Sequence, residues 1–198
     1  KTQVAYYLAW YFAIPHEGPD RRFFTMDVRS TSTAAELIYK VDDVAYFHAA
    51  QHPDARGQRL SRGDFVIEGP LWRALRCART ALVLIDEVDK APRDFPNDLL
   101  GVLERHRFEV PERGETVTRQ PGVPPPIVVI TSNSERRLPE PFLRRCVFHH
   151  LDLTPELLRQ AVLARRADFP RLDDAAVDVG LRRLWELREQ GLRKAPGT

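Results

Sequence analysis

The run from Ala81 to Pro92, ALVLIDEVDKAP, constrains the fold of this chain more than any other stretch. Five apolar residues, Ala81 to Ile85, end abruptly in the paired carboxylates of Asp86 and Glu87. A short apolar run with polar boundaries is typical of a strand that is buried on both faces, as in a parallel sheet. Carboxylates at the end of such a strand are costly to desolvate unless a cation or a ligand uses them. The alternative is a core strand followed by a solvated acidic loop.

Strand and helix patterns alternate along much of the chain. Further strands are predicted at Phe23–Val28, Ile127–Thr131 and Val147–Leu151, a hairpin at Phe108–Val110 and Glu115–Val117, and helices at Val4–Ala13, Ala34–Tyr39, Val44–Ala50, Pro70–Arg79 and Asn97–Arg107. Such alternation predicts an α/β fold with a parallel sheet, in which strand carboxyl ends share one edge. We therefore expect Asp86, Glu87 and Asn133 to lie at the same edge, where ligands of such sheets bind.

The last part of the chain has a different pattern. After Pro155 no strand is predicted, and helical periodicity marks Glu156–Arg166 and Asp174–Glu189. A domain boundary is therefore expected at Thr154. The expected domains are an α/β core over residues 1–153 and the beginning of a small helical domain over residues 154–198.

Composition and charge give no support to a nucleic-acid partner or to a membrane span. The formal net charge of +2 is too small to argue for a nucleic-acid partner, and no apolar run reaches the length of a membrane span. Cys77 and Cys146 lie far apart and lack metal-ligand spacing. They are expected to be reduced packing cysteines, and the protein is expected to be cytoplasmic.

Three motifs, taken in order, resemble those of AAA+ ATPases and in particular the MoxR-type branch. They are LVLIDE at 82–87, VVITSN at 128–133 and LPEPFLRR at 138–145. The resemblance spans nearly the whole chain and implies a parallel-sheet core of the P-loop NTPase type, followed by a small all-α lid. It also implies ATP and Mg²⁺ as ligands, self-association into a ring that is expected to be a hexamer, and the remodelling or maturation of an unidentified client protein.

The resemblance implies a role for each motif residue. Lys1 and Thr2 match the end of a Walker A loop, where Lys meets the β- and γ-phosphates and the Thr hydroxyl binds Mg²⁺. Asp86 and Glu87 match the Walker B pair, in which the first acid holds Mg²⁺ and the second acts as general base. Asn133 matches sensor 1.

The arginine assignments also come from the resemblance. Arg144 and Arg145 lie where the family places an arginine finger that reaches a neighbouring subunit's nucleotide. Arg145 is the closer match because it lies nearer to the predicted strand Val147–Leu151. Arg193 or Lys194 matches sensor 2 in the lid, and a solvated helix end, where cations suit the helix dipole, is the alternative for both.

The sequence begins at Lys1, after the point where the glycines of a Walker A loop and the strand before them would stand. In the family that strand lies between the strands predicted at Ile127–Thr131 and Val147–Leu151. We therefore expect an AAA+ core that lacks its first strand and is inactive alone, and a natural chain that continues upstream with a strand and a glycine-rich loop. The two predicted strands should then lie roughly 9–10 Å apart, twice the usual spacing.

Two other classes of protein stay open at this point. One is a scaffold that keeps the AAA+ fold for protein interaction and does not hydrolyse nucleotide. The other is a DExD-box helicase, since residues 86–89 spell DEVD. A helicase would also need a Ser-Ala-Thr-like motif and a second recombinase-like domain, and the sequence contains neither.

Overall fold

A computed structural model describes residues 1–51, 60–133, 137–152, 154–168, 170 and 173–189 of the 198-residue chain. The chain divides into two compact units, Lys1–Phe148 and His149–Thr198. Among the described residues, the strands are β1 (Phe23–Asp27), β2 (Tyr39–Val41), β3 (Val66–Glu68), β4 (Leu82–Asp86), β5 (Arg107–Val110), β6 (Glu115–Thr118) and β7 (Ile127–Ile130). The helices are α1 (Gln3–Tyr11), α2 (Ala34–Ile38), α3 (Asp43–Gln51), α4 (Pro70–Arg76), α5 (Phe95–Arg105), α6 (Glu140–Leu143), α7 (Pro155–Ala164) and α8 (Asp174–Glu189).

A parallel sheet of β1, β4 and β7 forms the centre of the first unit, with β4 in the middle. The register pairs Asp27 of β1 with Asp86 of β4, and Ile85 of β4 with Ile130 of β7. Residues Leu82 to Ile85 are almost completely buried, which confirms the strand that was predicted from this apolar run. The carboxyl ends of the three strands therefore lie along one edge, as the sequence pattern indicates.

Helices cover both faces of the sheet, and alternate residues of β4 contact them. Val83 and Ile85 belong to a large core cluster that includes Trp72 of α4. Leu82 and Leu84 point to the other face and pack in a smaller cluster with alanines of α1. The small side chains of Ala5 and Ala9 are buried there. This packing fixes α1 against the same strand that carries Asp86.

Close packing between α2 and the start of α4 depends on Gly69. A Cβ atom at this position would lie 2.5 Å from the backbone carbonyl oxygens of Glu36 and Leu37. These backbone atoms cannot move away from the added Cβ atom, whereas the end of a flexible side chain could. We therefore expect Gly69→Ala to lower the free energy of unfolding by about 1–3 kcal/mol, the usual range for overpacking.

Denaturant unfolding of both variants tests this expectation, with Gly101→Ala of α5 as the matched control. A Cβ atom at Gly101 approaches only the guanidinium end of Arg105, at 2.8 Å, and that group can swing aside. In the control, the free energy of unfolding should rise by about 0.5–1 kcal/mol, because alanine suits a helix interior better than glycine. Equal effects of the two substitutions would contradict the close approach at Gly69.

Two antiparallel strand pairs complete the first unit. β5 and β6 form the predicted hairpin, in which Phe108 faces Val117. β2 and β3 pair across a long segment of chain, with Lys40 opposite Ile67, and the sequence patterns did not predict this pairing. Tyr39 of β2 donates a hydrogen bond of 2.9 Å from its hydroxyl to Glu112, and burial together with this bond raises the pKa of the tyrosine.

The strand predicted at Val147–Leu151 is wrong. These residues form no strand, and Val147 and Phe148 are exposed. A strand needs a hydrogen-bonded neighbour, and in the described part of the chain β7 pairs only with β4. Apolar side chains alone therefore do not produce a strand here. The expected spacing between this segment and β7 stays a prediction.

The second unit is helical where it is described, as the sequence predicts. The hydroxyl of Thr154 caps α7 by accepting a 3.1 Å hydrogen bond from the amide of Leu157. Leu158 of α7 and Val177 of α8 are buried, and Arg159 pairs with Asp178 at 3.0 Å. No helix in the described residues of either unit is long and apolar enough to cross a membrane.

Candidate active site at the carboxyl edge of the sheet

The first helix brings Lys1 and Thr2 to the carboxyl edge of the sheet. The hydroxyl of Thr2 lies 3.0 Å from both carboxylate oxygens of Asp86, to which it donates. The ammonium of Lys1 donates to the carbonyl oxygen of Ser132 at 2.7 Å. Residues at the start of the chain and at the ends of two strands thus meet in one place.

The backbone at Glu87 makes a sharp turn directly after β4. Its φ of 58° and ψ of 50° are left-handed values that are uncommon outside glycine. Two hydrogen bonds to one residue hold the turn: the amide of Glu87 donates to the hydroxyl of Thr131 at 2.9 Å, and the amide of Val88 donates to the carbonyl of Thr131 at 2.9 Å. The turn places the Glu87 side chain at the edge, where it is 37% exposed.

Both carboxylate oxygens of Glu87 accept a hydrogen bond. The side-chain amide of Asn133 donates to Oε1 at 2.8 Å, and the ammonium of Lys90 donates to Oε2. An ionised carboxylate has about four lone-pair sites, so this carboxylate retains capacity to accept from a water molecule. The arrangement suits a base that is held in one orientation while it remains accessible.

A buried carboxylate also fixes the backbone of Asn133. Asp89 is 4% exposed, and its two carboxylate oxygens accept from the backbone amide nitrogen of Asn133 at 3.2 Å and 3.1 Å. Hydrogen bonds to a charged acceptor are stronger than those between neutral groups. The backbone and the side chain of Asn133 are therefore both tied to the turn that contains Glu87 and Asp89.

The two arginines of the third motif lie outside this hydrogen-bonded cluster. Arg145 pairs with Glu104 of α5 and donates to the carbonyl of Pro141 at 2.8 Å. Arg144 pairs with Glu140, one helical turn away, at 3.0 Å. Arg193 and Lys194 lie outside the described residues.

The oxygen donors at this edge fit a magnesium ion. No group of three or more His, Cys, Asp or Glu side chains in the described residues forms a metal site. Mg²⁺ does not need such a cage, because it keeps several waters and takes one or two protein ligands together with phosphate oxygens. The adjacent hydroxyl of Thr2 and carboxylate of Asp86 supply two hard oxygen donors of this kind.

Three residues of the cluster were not predicted from the sequence to belong to the site. They are Thr131, Asp89 and Lys90, which bond to the acids or to Asn133. Only their positions in the sequence could have indicated a role in the site. Thr131 ends a predicted buried strand, and the polar residues Asp89 and Lys90 lie two and three positions after Glu87. Periodicity cannot show that these side chains turn toward one another, since that depends on the pairing of β4 with β7.

Comparison with known proteins decides the family. A family model described as the AAA domain of the dynein-related subfamily matches residues 1–146, which is well over half of the chain. The chain belongs to this family. The match confirms the AAA+ resemblance, and with the parallel sheet and its flanking helices it confirms an α/β P-loop core with a helical C-terminal part. It favours an AAA protein over a DExD-box helicase.

No curated protein matches this AAA domain. Among solved structures, the chain is similar to the crystal structure, at 2.00 Å resolution, of a "putative ATPase" from Cytophaga hutchinsonii. The sequence identity is 16%, the TM-score is 0.47, and the match covers 84% of this chain and 46% of the other. The AAA domain described here therefore spans less than half of the length of that protein.

Proposed function

We propose that this AAA domain binds ATP with Mg²⁺ and hydrolyses it at the carboxyl edge of the sheet. One observation carries the proposal: the Thr2 hydroxyl bonds to Asp86 directly beside the hydrogen bond between Asn133 and Glu87. A pair of oxygen donors for a metal ion thus lies next to a carboxylate that is oriented by an amide. This is the combination that hydrolysis of a phosphoanhydride needs.

In this proposal, Thr2 and Asp86 hold Mg²⁺, which would neutralise charge on the phosphates when it is bound. Lys1 contributes a second cation for the β- and γ-phosphates. Its ammonium bonds at the surface to the backbone carbonyl of Ser132, which is a neutral acceptor. Turning toward a bound phosphate would replace this hydrogen bond with one to a charged acceptor. All three groups lie at the edge where α/β sheets bind ligands.

The chemical step requires a water molecule to be deprotonated as it attacks. Glu87 accepts the proton, the water oxygen bonds to the γ-phosphorus, and the bond from that phosphorus to the β,γ-bridging oxygen breaks. Asn133 holds Oε1 of Glu87 in place, and in this proposal its side chain also helps to orient the attacking water. The negative charge that develops needs further cations, for which the proposal assigns Arg145 or Arg144 of a neighbouring subunit and Arg193 or Lys194 as sensor 2.

We assign the protein to the MoxR-type branch, in a ring that is expected to be a hexamer, acting on a client protein in the cytoplasm. The functional domains are taken as residues 1–153 and 154–198. The ordered motifs support the branch, and the position of Arg145 after α6 at the surface of its unit supports the ring, because a residue that acts on a neighbour must be accessible.

The proposal predicts that Asp86→Ala in the full-length protein weakens Mg²⁺-dependent nucleotide binding. Loss of a group that merely supports a metal ligand costs about 10–100-fold, so loss of the ligand itself should cost at least tenfold. Nucleotide titrations in Mg²⁺ and in EDTA measure this, together with phosphate release.

Asp27→Ala is the matched control. Asp27 occupies the register position of Asp86 on the neighbouring strand β1, is exposed, and has no role in the proposal. It should leave binding and phosphate release unchanged. An Asp86→Ala protein with the Mg²⁺ dependence of the parent would show that the metal site lies elsewhere.

A further inference from the structure

A single buried hydroxyl joins the two acids of the site. Thr131 is 8% exposed and follows directly after β7. Its hydroxyl lies 2.9 Å from the amide nitrogen of Glu87 and also bonds to Oδ1 of Asp86. An amide can only donate and an ionised carboxylate can only accept. The hydroxyl therefore accepts from the amide of Glu87 and donates its one proton to the carboxylate of Asp86.

The backbone of Thr131 is tied to the same segment. Its amide donates to the carbonyl of Ile85 at 3.0 Å, and its carbonyl accepts from Val88 at 2.9 Å. Four hydrogen bonds thus connect one residue to four consecutive residues, 85 to 88. The left-handed turn at Glu87 lies in the middle of this segment. The side-chain bonds are the two that reach the acids proposed to act on nucleotide.

We propose that Thr131 is a positioning residue that fixes the carboxylate of Asp86 and the turn at Glu87 relative to each other. This inference rests on the proposed function, because it assumes that Asp86 holds Mg²⁺ and that Glu87 is the base. Groups that hydrogen-bond to a ligating carboxylate orient it, and their loss typically costs 10–100-fold in metal affinity or activity. Thr131 is such a group for Asp86, and it supports the Glu87 backbone with the same oxygen.

Two substitutions separate the hydroxyl from the methyl group of Thr131. Thr131→Val keeps the shape of the side chain and removes the hydroxyl. Thr131→Ser keeps the hydroxyl and removes the methyl group. A residue that only fills space should tolerate valine and suffer from serine, whereas a positioning hydroxyl should show the opposite order.

The test measures the affinity of a fluorescent ADP analogue for the full-length protein in Mg²⁺ and in EDTA, and steady-state ATP turnover. In Thr131→Val, the increase in affinity that Mg²⁺ gives should fall by about 10–100-fold, while the affinity in EDTA stays that of the parent. Thr131→Ser should retain most of the Mg²⁺ effect. The control is Thr25→Val, an exposed threonine of the same sheet on β1, which should match the parent.

Coupling to Asp86 makes the test specific. In an Asp86→Ala background, Thr131→Val should have no further effect on Mg²⁺ dependence, because the carboxylate that it orients is gone. Independent, additive losses in the double variant would overturn the inference.

The inference would also be overturned if Thr131→Val keeps the full Mg²⁺ effect, or if valine and serine impair it equally. If Thr131→Val does not fold, Thr131→Ser decides alone, since a folded serine variant without Mg²⁺ dependence contradicts a role for the hydroxyl. Parent protein that binds nucleotide equally in Mg²⁺ and EDTA contradicts the proposed function itself. If the parent protein depends on Mg²⁺ and Thr131→Val keeps that dependence, only the inference about Thr131 is overturned.

Discussion

Replacing Glu87 by glutamine is expected to lower ATP turnover by the full-length protein about 10²–10⁴-fold, the usual contribution of a general base. The amide has the size of the carboxylate, and its oxygen can still accept from the Asn133 side chain that lies 2.8 Å from Oε1. It cannot take a proton from water. Nucleotide affinity should therefore remain near that of the parent while phosphate release falls, which separate binding titrations and steady-state assays measure.

The matched control for this experiment is Glu109→Gln. Glu109 is an exposed glutamate on β5, in the hairpin, and the proposal gives it no role. Turnover by this variant should equal that of the parent. If Glu87→Gln hydrolyses ATP as fast as the parent, Glu87 is not the base. If parent protein binds ATP without hydrolysing it, the non-hydrolysing scaffold becomes the better description.

Arg145→Ala is expected to have a larger effect, about 10³–10⁵-fold on turnover, because an arginine supplied by a neighbouring subunit stabilises charge in the transition state. ATP binding should stay nearly normal, since the nucleotide's own subunit supplies Thr2 and Asp86. Within its own chain, the Arg145 guanidinium pairs with Glu104 and donates to the carbonyl of Pro141 at 2.8 Å. Circular dichroism of the variant would show whether the loss of these bonds disturbs the fold.

Mixing two inactive variants tests whether the site is shared between subunits. Arg145→Ala mixed with Glu87→Gln should recover part of the activity, because some interfaces then combine an intact acid pair with an intact arginine. Arg144→Ala is the control, as its guanidinium pairs at 3.0 Å with Glu140 on the adjacent turn of chain. A defect in that variant alone would identify Arg144 as the finger. Turnover per subunit that is independent of protein concentration, with no recovery on mixing, would contradict a shared site.

The central strand and the edge of the site could be predicted from sequence because one physical signal dominates each. Five consecutive apolar residues before Asp86 require burial on both faces, and a parallel sheet is the arrangement that provides it. Once the strands are parallel, Glu87 and Asn133 must lie at the same edge. Their direct hydrogen bond follows from the pairing of β4 with β7.

Other features depend on interactions between residues that are distant in sequence. β2 and β3 have three residues each, which is too short for an alternating pattern, and they are stabilised by pairing with each other. The run at Val147–Leu151 has the composition of a strand but no hydrogen-bonded neighbour among the described residues. The left-handed turn at Glu87 is stabilised by the hydroxyl of Thr131, which follows directly after another strand. No local pattern contains that information.

The helix α5 connects the turn at Glu87 with Arg145. It begins shortly after the Glu87 turn, and Glu104 in its last turn pairs with Arg145. Its 11 residues form a rod about 16 Å long, at 1.5 Å per residue, and Phe95 and Leu99 anchor that rod in the core. The rod therefore links the segment after the acids to the guanidinium of Arg145. In the proposed ring, a movement of that segment would be passed along α5 to an arginine that serves the neighbouring subunit's nucleotide.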